Sequence, residues 1–306
     1  MEKQQTLKDK FSLTGYGLHT GGMVTITFNP APVNNGYKIR RVDLPDNPVI
    51  EASAHNVTNT DRGTTLCENG IVVGTVEHGM AALYASGIDN CMIDINAPEF
   101  PIMDGSSALY IKAINEAGIT EQDAERNYLE VNEEIEVESG CSKLKLMPDT
   151  HFNAEVKIKF PSSVLTEQCA VLNNLNEFTP GFAQCRTFVF VREIEELLKR
   201  GLIKGGSLNN AIVIYDTPIE QSVLDALADA MNAPRHPADK LGYILSRPLA
   251  FDNEPARHKL LDLIGDIALV GRRIKGRIVA ECPGHKVNNI FARAISESLC
   301  GTKKES

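Results

Sequence analysis

The strongest constraint on this 306-residue chain is the segment HKLLDLIGD, residues 258–266. Its leucines and isoleucines cover most faces of a helix, and a helix that is apolar nearly all round is buried. His258, Asp262 and Asp266 are spaced four apart, so they form one polar stripe along that helix. Burying an imidazole and two carboxylates without partners is costly, so this stripe requires partners inside the protein.

A metal ion is one such partner. Imidazole nitrogen and carboxylate oxygen are common zinc ligands, and the i,i+4 spacing lets His258 and Asp262 reach one ion. The alternative is that the two residues form an ordinary pair on the surface of a helix.

A second segment, Thr75-Val-Glu-His78, supplies a third ligand. Thr75 is predicted to cap a helix whose first turn contains Glu77 and His78. Three protein ligands with an open fourth position are typical of catalytic zinc, and a nearby carboxylate such as Glu77 can accept a proton from the metal-bound water. The alternative is an exposed first helical turn without a metal.

A third segment, Pro283-Gly-His285, predicts a tight turn that presents His285 at its tip. A carboxylate such as Asp266 could keep this imidazole protonated. A protonated histidine near a metal can stabilise an oxyanion and then protonate a leaving nitrogen, although a solvated loop histidine is the alternative. Taken together, the three segments predict metal-assisted amide hydrolysis.

The overall composition bears on partners and location. The formal net charge of −9 argues against a nucleic-acid-binding protein, because phosphate neutralisation needs a basic surface. Seven scattered cysteines without a CxxC pair predict reduced thiols and a cytoplasmic protein. We recognise no signal peptide and no run long enough to cross a bilayer, so no integral membrane segment is expected.

The length fits two domains. Strand and helix patterns mix in both halves without strict alternation, which favours a layered α+β architecture over a doubly wound parallel sheet. The polar segment 120–127 has no apolar period and is predicted to link an N-terminal domain, residues 1–122, to a C-terminal domain, residues 128–306. Strands are predicted at 24–28, 71–73, 91–95, 155–160, 211–214 and 277–281, and helices at 75–87, 106–117, 191–200, 218–231, 253–270 and 289–299.

The motifs around these residues resemble those of the UDP-3-O-acyl-N-acetylglucosamine deacetylases, the family that commits precursors to lipid A synthesis. The resemblance covers residues from about 7 to 290, and the motifs occur in the family's order. The matching motifs are Gly15–Gly21, Thr75–His78, Met103–Ser106, Arg186–Phe188, Gly205–Leu208, Arg257–Asp262, Gly265–Asp266 and Gly284–His285.

The resemblance implies a zinc amidase that removes acetate from the glucosamine nitrogen of a UDP-linked, acylated sugar. Its ligands would be His78, His258 and Asp262, and its general base would be Glu77. Iron in the ferrous state suits the same ligands, and the sequence leaves the native metal open.

The resemblance also implies roles around the reacting amide. His285, paired with Asp266, would stabilise charge and act as the acid. Thr187 would donate a hydrogen bond to the oxyanion, and Lys259 would contact the substrate near the metal.

Further roles implied by the resemblance concern the rest of the substrate. Leu18, Phe188 and Phe190 would line a passage for the fatty acyl chain, and His19 would lie near the sugar. Lys143 would serve the diphosphate region, although the match there is loose.

The resemblance implies two similar α+β domains with helices packed between two sheets and a small insert in each domain near the active site. The chain departs from the family pattern by an extra segment between Tyr215 and Ala250, which is either a surface elaboration or a contact for a partner. Val189 replaces a residue that is commonly small and would narrow the acyl passage. Some relatives are expected to carry a fused or associated dehydratase.

Two other functions stay open at this stage. A zinc amidase could act on a different acylated amino sugar. A non-catalytic protein could bind a sugar nucleotide and hold a structural zinc with four protein ligands.

Overall fold

The computed structural model describes residues 2–301. The strands are β1 (Lys3–Leu7), β2 (Phe11–Tyr16), β3 (Met23–Pro30), β4 (Tyr37–Arg41), β5 (Val49–Glu51), β6 (Val57–Asn59), β7 (Thr65–Glu68), β8 (Ile71–Val73), β9 (Cys91–Ile95), β10 (Ile119–Glu125), β11 (Tyr128–Glu130), β12 (Ile135–Ser139), β13 (Ser142–Pro148), β14 (Asn153–Lys159), β15 (Glu167–Leu172), β16 (Phe188–Phe190), β17 (Ile212–Tyr215), β18 (Gly242–Ile244) and β19 (Arg273–Glu281). The helices are α1 (Glu77–Ala85), α2 (Ala108–Ala117), α3 (Phe178–Gly181), α4 (Val191–Lys199), α5 (Gln221–Ala230), α6 (Glu254–Ala268) and α7 (His285–Gly301).

Two sheets repeat one topology. The first has the order β2-β3-β9-β4-β5, and the second has the order β12-β13-β19-β14-β15, with β11 also paired to β19. In each sheet the central strand pairs antiparallel with one neighbour and parallel with the other. The two sheets therefore belong to two similar units, as the fold prediction expected.

The helices lie between these sheets. α1 packs against α6, and α6 also contacts α7 and the strands β14 and β15. Nearly every residue of α6 is buried, including its polar stripe. This burial confirms the prediction from the apolar pattern, and the layered α+β class is confirmed with it.

Two small sheets accompany the main ones. One joins β6, β7 and β8, and the other joins β16, β17 and β18. The second small sheet, together with α4 and α5, surrounds a separate hydrophobic cluster that includes Val191, Ile194, Leu197 and Leu224. These elements follow the motif at Arg186–Phe188 directly, so they are attached at the candidate site.

Several predicted boundaries differ from the structure. Most of segment 120–127, expected as a linker, belongs to β10, which pairs with β1 and shows no strong apolar period because most of it is exposed. The helix predicted from Pro218 begins only at Gln221. The last helix begins at His285 instead of residue 289, so His285 opens a helix and does not project from a turn. The domain boundary itself stays a prediction.

Thr75 does not cap α1. Its backbone has a φ of 55°, and the cap position belongs to Val76, which has no side-chain cap. The Thr75 hydroxyl instead donates to Glu99 at 3.0 Å. Within residues 2–301, none of the helices is long and apolar enough to cross a bilayer.

Candidate metal centre and active site

Three predicted ligands converge between α1 and α6. His78, His258 and Asp262 are buried, and each offers a ligand atom within 4.8 Å of the others. Asp262 Oδ1 lies 3.3 Å from His258 Nε2 and 3.7 Å from His78 Nε2. The two rings stand nearly perpendicular, with centroids 5.1 Å apart. One divalent ion can therefore contact all three side chains.

The surroundings of the cluster suit a cation. Asp262 Oδ1 is buried without a hydrogen-bond partner among the described residues, which is costly unless a positive group faces it. His258 Nδ1 lies 2.9 Å from the Cys185 carbonyl oxygen, an arrangement that leaves Nε2 to face the cluster. Lys259 Nζ donates to Asp262 Oδ2 at 2.8 Å, so only the other carboxylate oxygen is free.

Ligand pKa values agree with metal binding. Burial, followed by the neighbouring His258, lowers the pKa of His78 to about 3, and burial also lowers the pKa of His258. Burial acts to raise the pKa of Asp262, but His258 and Lys259 outweigh it and hold that pKa well below its usual range. At neutral pH the cluster thus offers two neutral imidazoles and one carboxylate, the forms that bind metal.

Glu77 is adjacent to the cluster at the start of α1. It is 3% exposed, and its Oε2 accepts a hydrogen bond of 2.9 Å from the backbone N–H of Thr64. Burial raises the pKa of Glu77 to about 7. The charge of His285 acts to lower this pKa, but Asp262 and Asp266 act to raise it, so the net shift is upward. A carboxylate with this pKa can both accept and release a proton near neutral pH.

His285 opens α7 on the other side of the cluster. Its Nδ1 lies 2.9 Å from Asp266 Oδ2, and its Nε2 lies 3.9 Å from Asp262 Oδ2. Burial acts to lower its pKa, but the charges of Asp266 and Asp262 outweigh burial and raise the pKa of His285 to about 9. The imidazole is therefore protonated at neutral pH.

Asp266 is held by two residues that the sequence reading missed. Thr64 donates its hydroxyl to Asp266 Oδ1, and Asn288 Nδ2 donates to Oδ2 at 2.9 Å. Thr64 also contacts Glu77 through its backbone, so this residue connects both acid-base groups. Thr64 lies between two short strands and carries no motif, so no local signal identified it.

Glu99 is a third residue missed from the sequence. Its carboxylate accepts hydrogen bonds from the backbone N–H groups of His19 and Thr20, at 2.8 and 3.0 Å, and from the Thr75 hydroxyl. Glu99 thus fixes the loop that carries His19 to the segment that precedes α1. Both ring nitrogens of His19 are buried without a hydrogen-bond partner among the described residues, so they are available to a ligand.

An apolar cavity of about 120 Å³ lies among the second small sheet, α4 and α5. Its wall includes Leu18, His19, Thr187 and Phe188, four of the residues predicted to contact substrate. Val189 lines it as well. Thr187 follows closely after Cys185, whose carbonyl contacts a ligand imidazole, so this wall begins beside the candidate metal centre.

Lys259 connects the metal cluster to the cavity. Its ammonium group donates a hydrogen bond to Asp262 and lies 5.5 Å from the centre of the Phe188 ring. A cation at this distance from an aromatic face is attracted to it. Lys259 is therefore held between the ligands and the cavity wall.

Two predicted substrate residues lie elsewhere. Phe190 is not among the cavity residues; its ring packs 5.3 Å from that of Phe160, because the chain turns into α4 directly after it. Lys143 lies on β13, where its ammonium pairs with Glu136 and Glu138 at 2.7 Å each. The structure gives Lys143 no contact with the described metal cluster, and its diphosphate role stays a prediction.

The spacing of α1 and α6 depends on Gly265. A Cβ at this position would stand 2.1 Å from the backbone oxygen of Glu77. Only glycine permits this approach, and the approach brings the ligand on α1 to the two ligands on α6.

A buried cluster of three ligand side chains beside a carboxylate and an imidazole of raised pKa is an arrangement typical of metal-dependent hydrolases. The sequence model described as "UDP-3-O-acyl N-acetylglycosamine deacetylase" (LpxC) matches residues 4–228 and 238–297. The chain therefore belongs to this deacetylase family.

Individual relatives agree with this membership. The "Bifunctional enzyme LpxC/FabZ" of Porphyromonas gingivalis is 54% identical over 301 residues, which are 98% of this chain and 65% of that protein. The UDP-3-O-acyl-N-acetylglucosamine deacetylase of Citrifermentans bemidjiense is 39% identical over 287 residues, 94% of this chain and 86% of that protein. The bifunctional names confirm the expectation that some relatives carry a second enzyme.

Proposed function

We propose that this chain is a zinc-dependent deacetylase that hydrolyses the N-acetyl group of UDP-3-O-acyl-N-acetylglucosamine in lipid A biosynthesis. The observation that best supports this proposal is the buried cluster of His78, His258 and Asp262, with Glu77 beside it. Family membership supports this substrate. The relative from Citrifermentans bemidjiense, which this chain matches over 86% of the relative's length, carries that enzyme name. The chain spans 65% of the length of its bifunctional relatives, whose further activity is not part of this proposal.

The donor set fits zinc. Two imidazole nitrogens and one carboxylate oxygen leave a coordination position open, and the unpartnered Asp262 Oδ1 is where a cation is needed. Bound zinc would polarise the acetamide carbonyl and lower the pKa of a water to about 7. Iron suits the same donors.

Glu77 serves as the general base in this proposal. Its pKa of about 7 lets it accept a proton from the attacking water. The Thr64 N–H holds one carboxylate oxygen, which orients the other. The amide C–N bond then breaks, and the products are acetate and the free amine of the sugar.

His285 serves as the acid and as a positive charge near the oxyanion. Its raised pKa keeps it protonated at neutral pH, and Asp266 holds its Nδ1, so that Nε2 can donate. A proton from His285 neutralises the leaving nitrogen. Thr187, on the cavity wall, would contact the oxyanion, and Lys259, which lies between Asp262 and the Phe188 ring, would contact the substrate.

The apolar cavity supports the acyl part of the substrate. Leu18 and Phe188 would contact the fatty chain, and the unpartnered nitrogens of His19 would bond the sugar. We assign the protein to the cytoplasm, which is supported by the free thiols of the six cysteines that the structure describes.

The decisive assay measures acetate release from the acylated UDP-sugar before and after chelation. Turnover should fall to background with the chelator and return with zinc. Anaerobic purification followed by metal analysis and readdition of zinc or ferrous iron identifies the native metal. Equal rates with and without the nucleotide would favour an amidase for another acylated amino sugar.

Glu77→Gln separates catalysis from a structural zinc site. The variant should keep its metal and lose about 10²–10⁴-fold in kcat, because it lacks the base but retains all three ligands. The exposed Glu116→Gln is the matched control. Wild-type turnover in Glu77→Gln would show that the base is misassigned.

A further inference from the structure

The Asp266 carboxylate lies at the centre of a buried network beside His285. Its Oδ2 faces His285 Nδ1 at 2.9 Å and accepts a hydrogen bond from Asn288 Nδ2, also at 2.9 Å. Its Oδ1 accepts a hydrogen bond from the Thr64 hydroxyl. Asp266, Thr64 and Asn288 are each at most 1% exposed. Both oxygens of the carboxylate are therefore held, and the group cannot rotate without breaking a hydrogen bond.

The two donors come from segments far from Asp266 in the chain. Thr64 lies just before β7, and Asn288 lies on α7, three residues after His285. Residues three apart on a helix share a face, so α7 presents His285 and Asn288 to the same carboxylate. The backbone N–H of Thr64 donates separately to Glu77. The Thr64 hydroxyl can therefore be removed without releasing this segment from Glu77.

The Asn288 amide has one favourable orientation at this site. Its Nδ2 faces the Asp266 carboxylate, and its Oδ1 is buried without a hydrogen-bond partner within residues 2–301. Exchanging the two atoms would bring an oxygen, which cannot donate, against the carboxylate. Asn288 therefore contributes a donor to this network and not an acceptor.

A second carboxylate competes for the imidazole of His285. The Nε2 atom lies 3.9 Å from Asp262 Oδ2, which is too long for a hydrogen bond. A shift of the ring by about 1 Å would close this gap, and opposite charges at such a distance attract each other. An Nε2 that bonded Asp262 could no longer donate to a leaving nitrogen. The working position of His285 thus depends on what holds the ring at its other nitrogen.

We propose that Thr64 and Asn288 are positioning residues for the acid, because they fix the Asp266 carboxylate that keeps His285 Nε2 away from Asp262 and free for the substrate. This inference rests on the proposed function, since it takes the leaving nitrogen of the amide as the proton acceptor. Thr64 also reaches His285 directly, with 3.2 Å between Oγ1 and Nδ1. Asn288 acts only through Asp266.

Two variants of Thr64 separate its hydroxyl from the packing of its side chain. Thr64→Val keeps the branched shape and the backbone N–H but removes the donor to Asp266. The ring can then shift by about 1 Å, so kcat should fall about 10- to 100-fold while KM stays within about twofold. Thr64→Ser keeps the hydroxyl and should retain kcat within about threefold. A role in packing alone predicts the reverse order, because serine loses the methyl group.

Further variants test the route through the acid. Asn288→Leu keeps a side chain of similar size without the donor and should lower kcat about tenfold. In a His285→Gln background the acid is absent, so Thr64→Val should lower the single-turnover rate by less than about threefold further. Thr58→Val, at an exposed position of β6, is the matched control and should leave kcat unchanged.

The experiment measures acetate release from the acylated UDP-sugar on zinc-loaded protein, and thermal unfolding confirms that each variant is folded. Proton NMR supplies a readout that does not depend on turnover. The low-field Nδ1–H signal of His285 is assigned by its loss in His285→Gln. This signal should persist in Thr64→Ser and should be lost to solvent exchange in Thr64→Val and Asn288→Leu.

The expected order of rates together with the expected signals supports the inference. Wild-type kcat in Thr64→Val overturns it, and so does a Thr64→Ser variant that is as slow as Thr64→Val. An undiminished effect of Thr64→Val in the His285→Gln background overturns it as well. If the wild type released no acetate while the Nδ1–H signal responded as expected, the positioning of His285 would stand and the proposed function would be refuted.

Discussion

Gly265→Ala tests whether the contact between α1 and α6 sets the geometry of the metal cluster. The alanine Cβ would meet the Glu77 carbonyl oxygen at 2.1 Å and its carbonyl carbon at 2.8 Å. Both partners are helix backbone, so neither can rotate away. The helices must separate by about 1 Å, and a misplacement of that size costs about 10²-fold in rate.

The same substitution strains the core. Overpacking of this kind costs about 1–3 kcal/mol of stability, which leaves the protein folded at room temperature. The displacement moves Glu77 and His78 relative to His258 and Asp262, because each pair belongs to one of the two helices. Metal affinity should therefore fall together with kcat.

The assay combines three measurements on one preparation: acetate release at saturating substrate, bound zinc per chain after dialysis against graded chelator, and urea unfolding. Gly22→Ala is the control, since its nearest neighbour would be Thr20 Oγ1 at 3.8 Å. Wild-type kcat and zinc affinity in a folded Gly265→Ala would refute the idea that this contact positions the ligands.

Three further predictions concern the groups around the cluster. Asp266→Asn removes the charge that raises the pKa of His285, so kcat should fall about 10²-fold, and the alkaline limb of its pH profile should move below pH 9. Glu254→Gln, opposite a buried arginine, should lower the free energy of unfolding by about 3–5 kcal/mol at neutral pH in urea titrations. Glu99→Gln should raise KM about tenfold in steady-state kinetics. The backbone N–H groups of His19 and Thr20 donate to the two carboxylate oxygens of Glu99, and glutamine offers only one acceptor oxygen in their place.

The sign of the Glu254 effect follows from its lowered pKa. Burial acts to raise that pKa, but hydrogen bonds from Arg186 outweigh burial. Its contribution is therefore present above the unfolded pKa of about 4.3 and is lost as pH falls through the folded value. The gap between wild type and Glu254→Gln should shrink in acid; a constant gap would show that the charge is not responsible. If the alkaline limb of the pH profile did not move in Asp266→Asn, the prediction for Asp266 would be wrong. If KM did not change in Glu99→Gln, the prediction for Glu99 would be wrong.

The segment between Tyr215 and Ala250 was expected to depart from the family pattern, but the family model matches all of it except residues 229–237. Its helix was predicted from apolar spacing, and α5 exists, although it begins three residues later than expected. The spacing identified an apolar face but not what that face covers. In the structure, the apolar face of α5 lines a cavity that is also bounded by the second small sheet and α4 of the same chain.

Much of the site was determined by sequence alone. The burial of α6 and the shared face of His258 and Asp262 follow from residues within two helical turns, where periodicity fixes direction. Strand alternation likewise predicted β3, β9 and β14 with small errors at their ends. Such features depend on neighbours along the chain.

Only the tertiary structure decided what meets that helix. His78 reaches the cluster because Gly265 lets α1 approach, and Thr64 and Glu99 orient acid-base and loop groups from segments without a motif. The left-handed backbone of Thr75 likewise displaced the predicted cap. These contacts join residues far apart in the chain, and their distances are set by packing of the whole core, which no local pattern records.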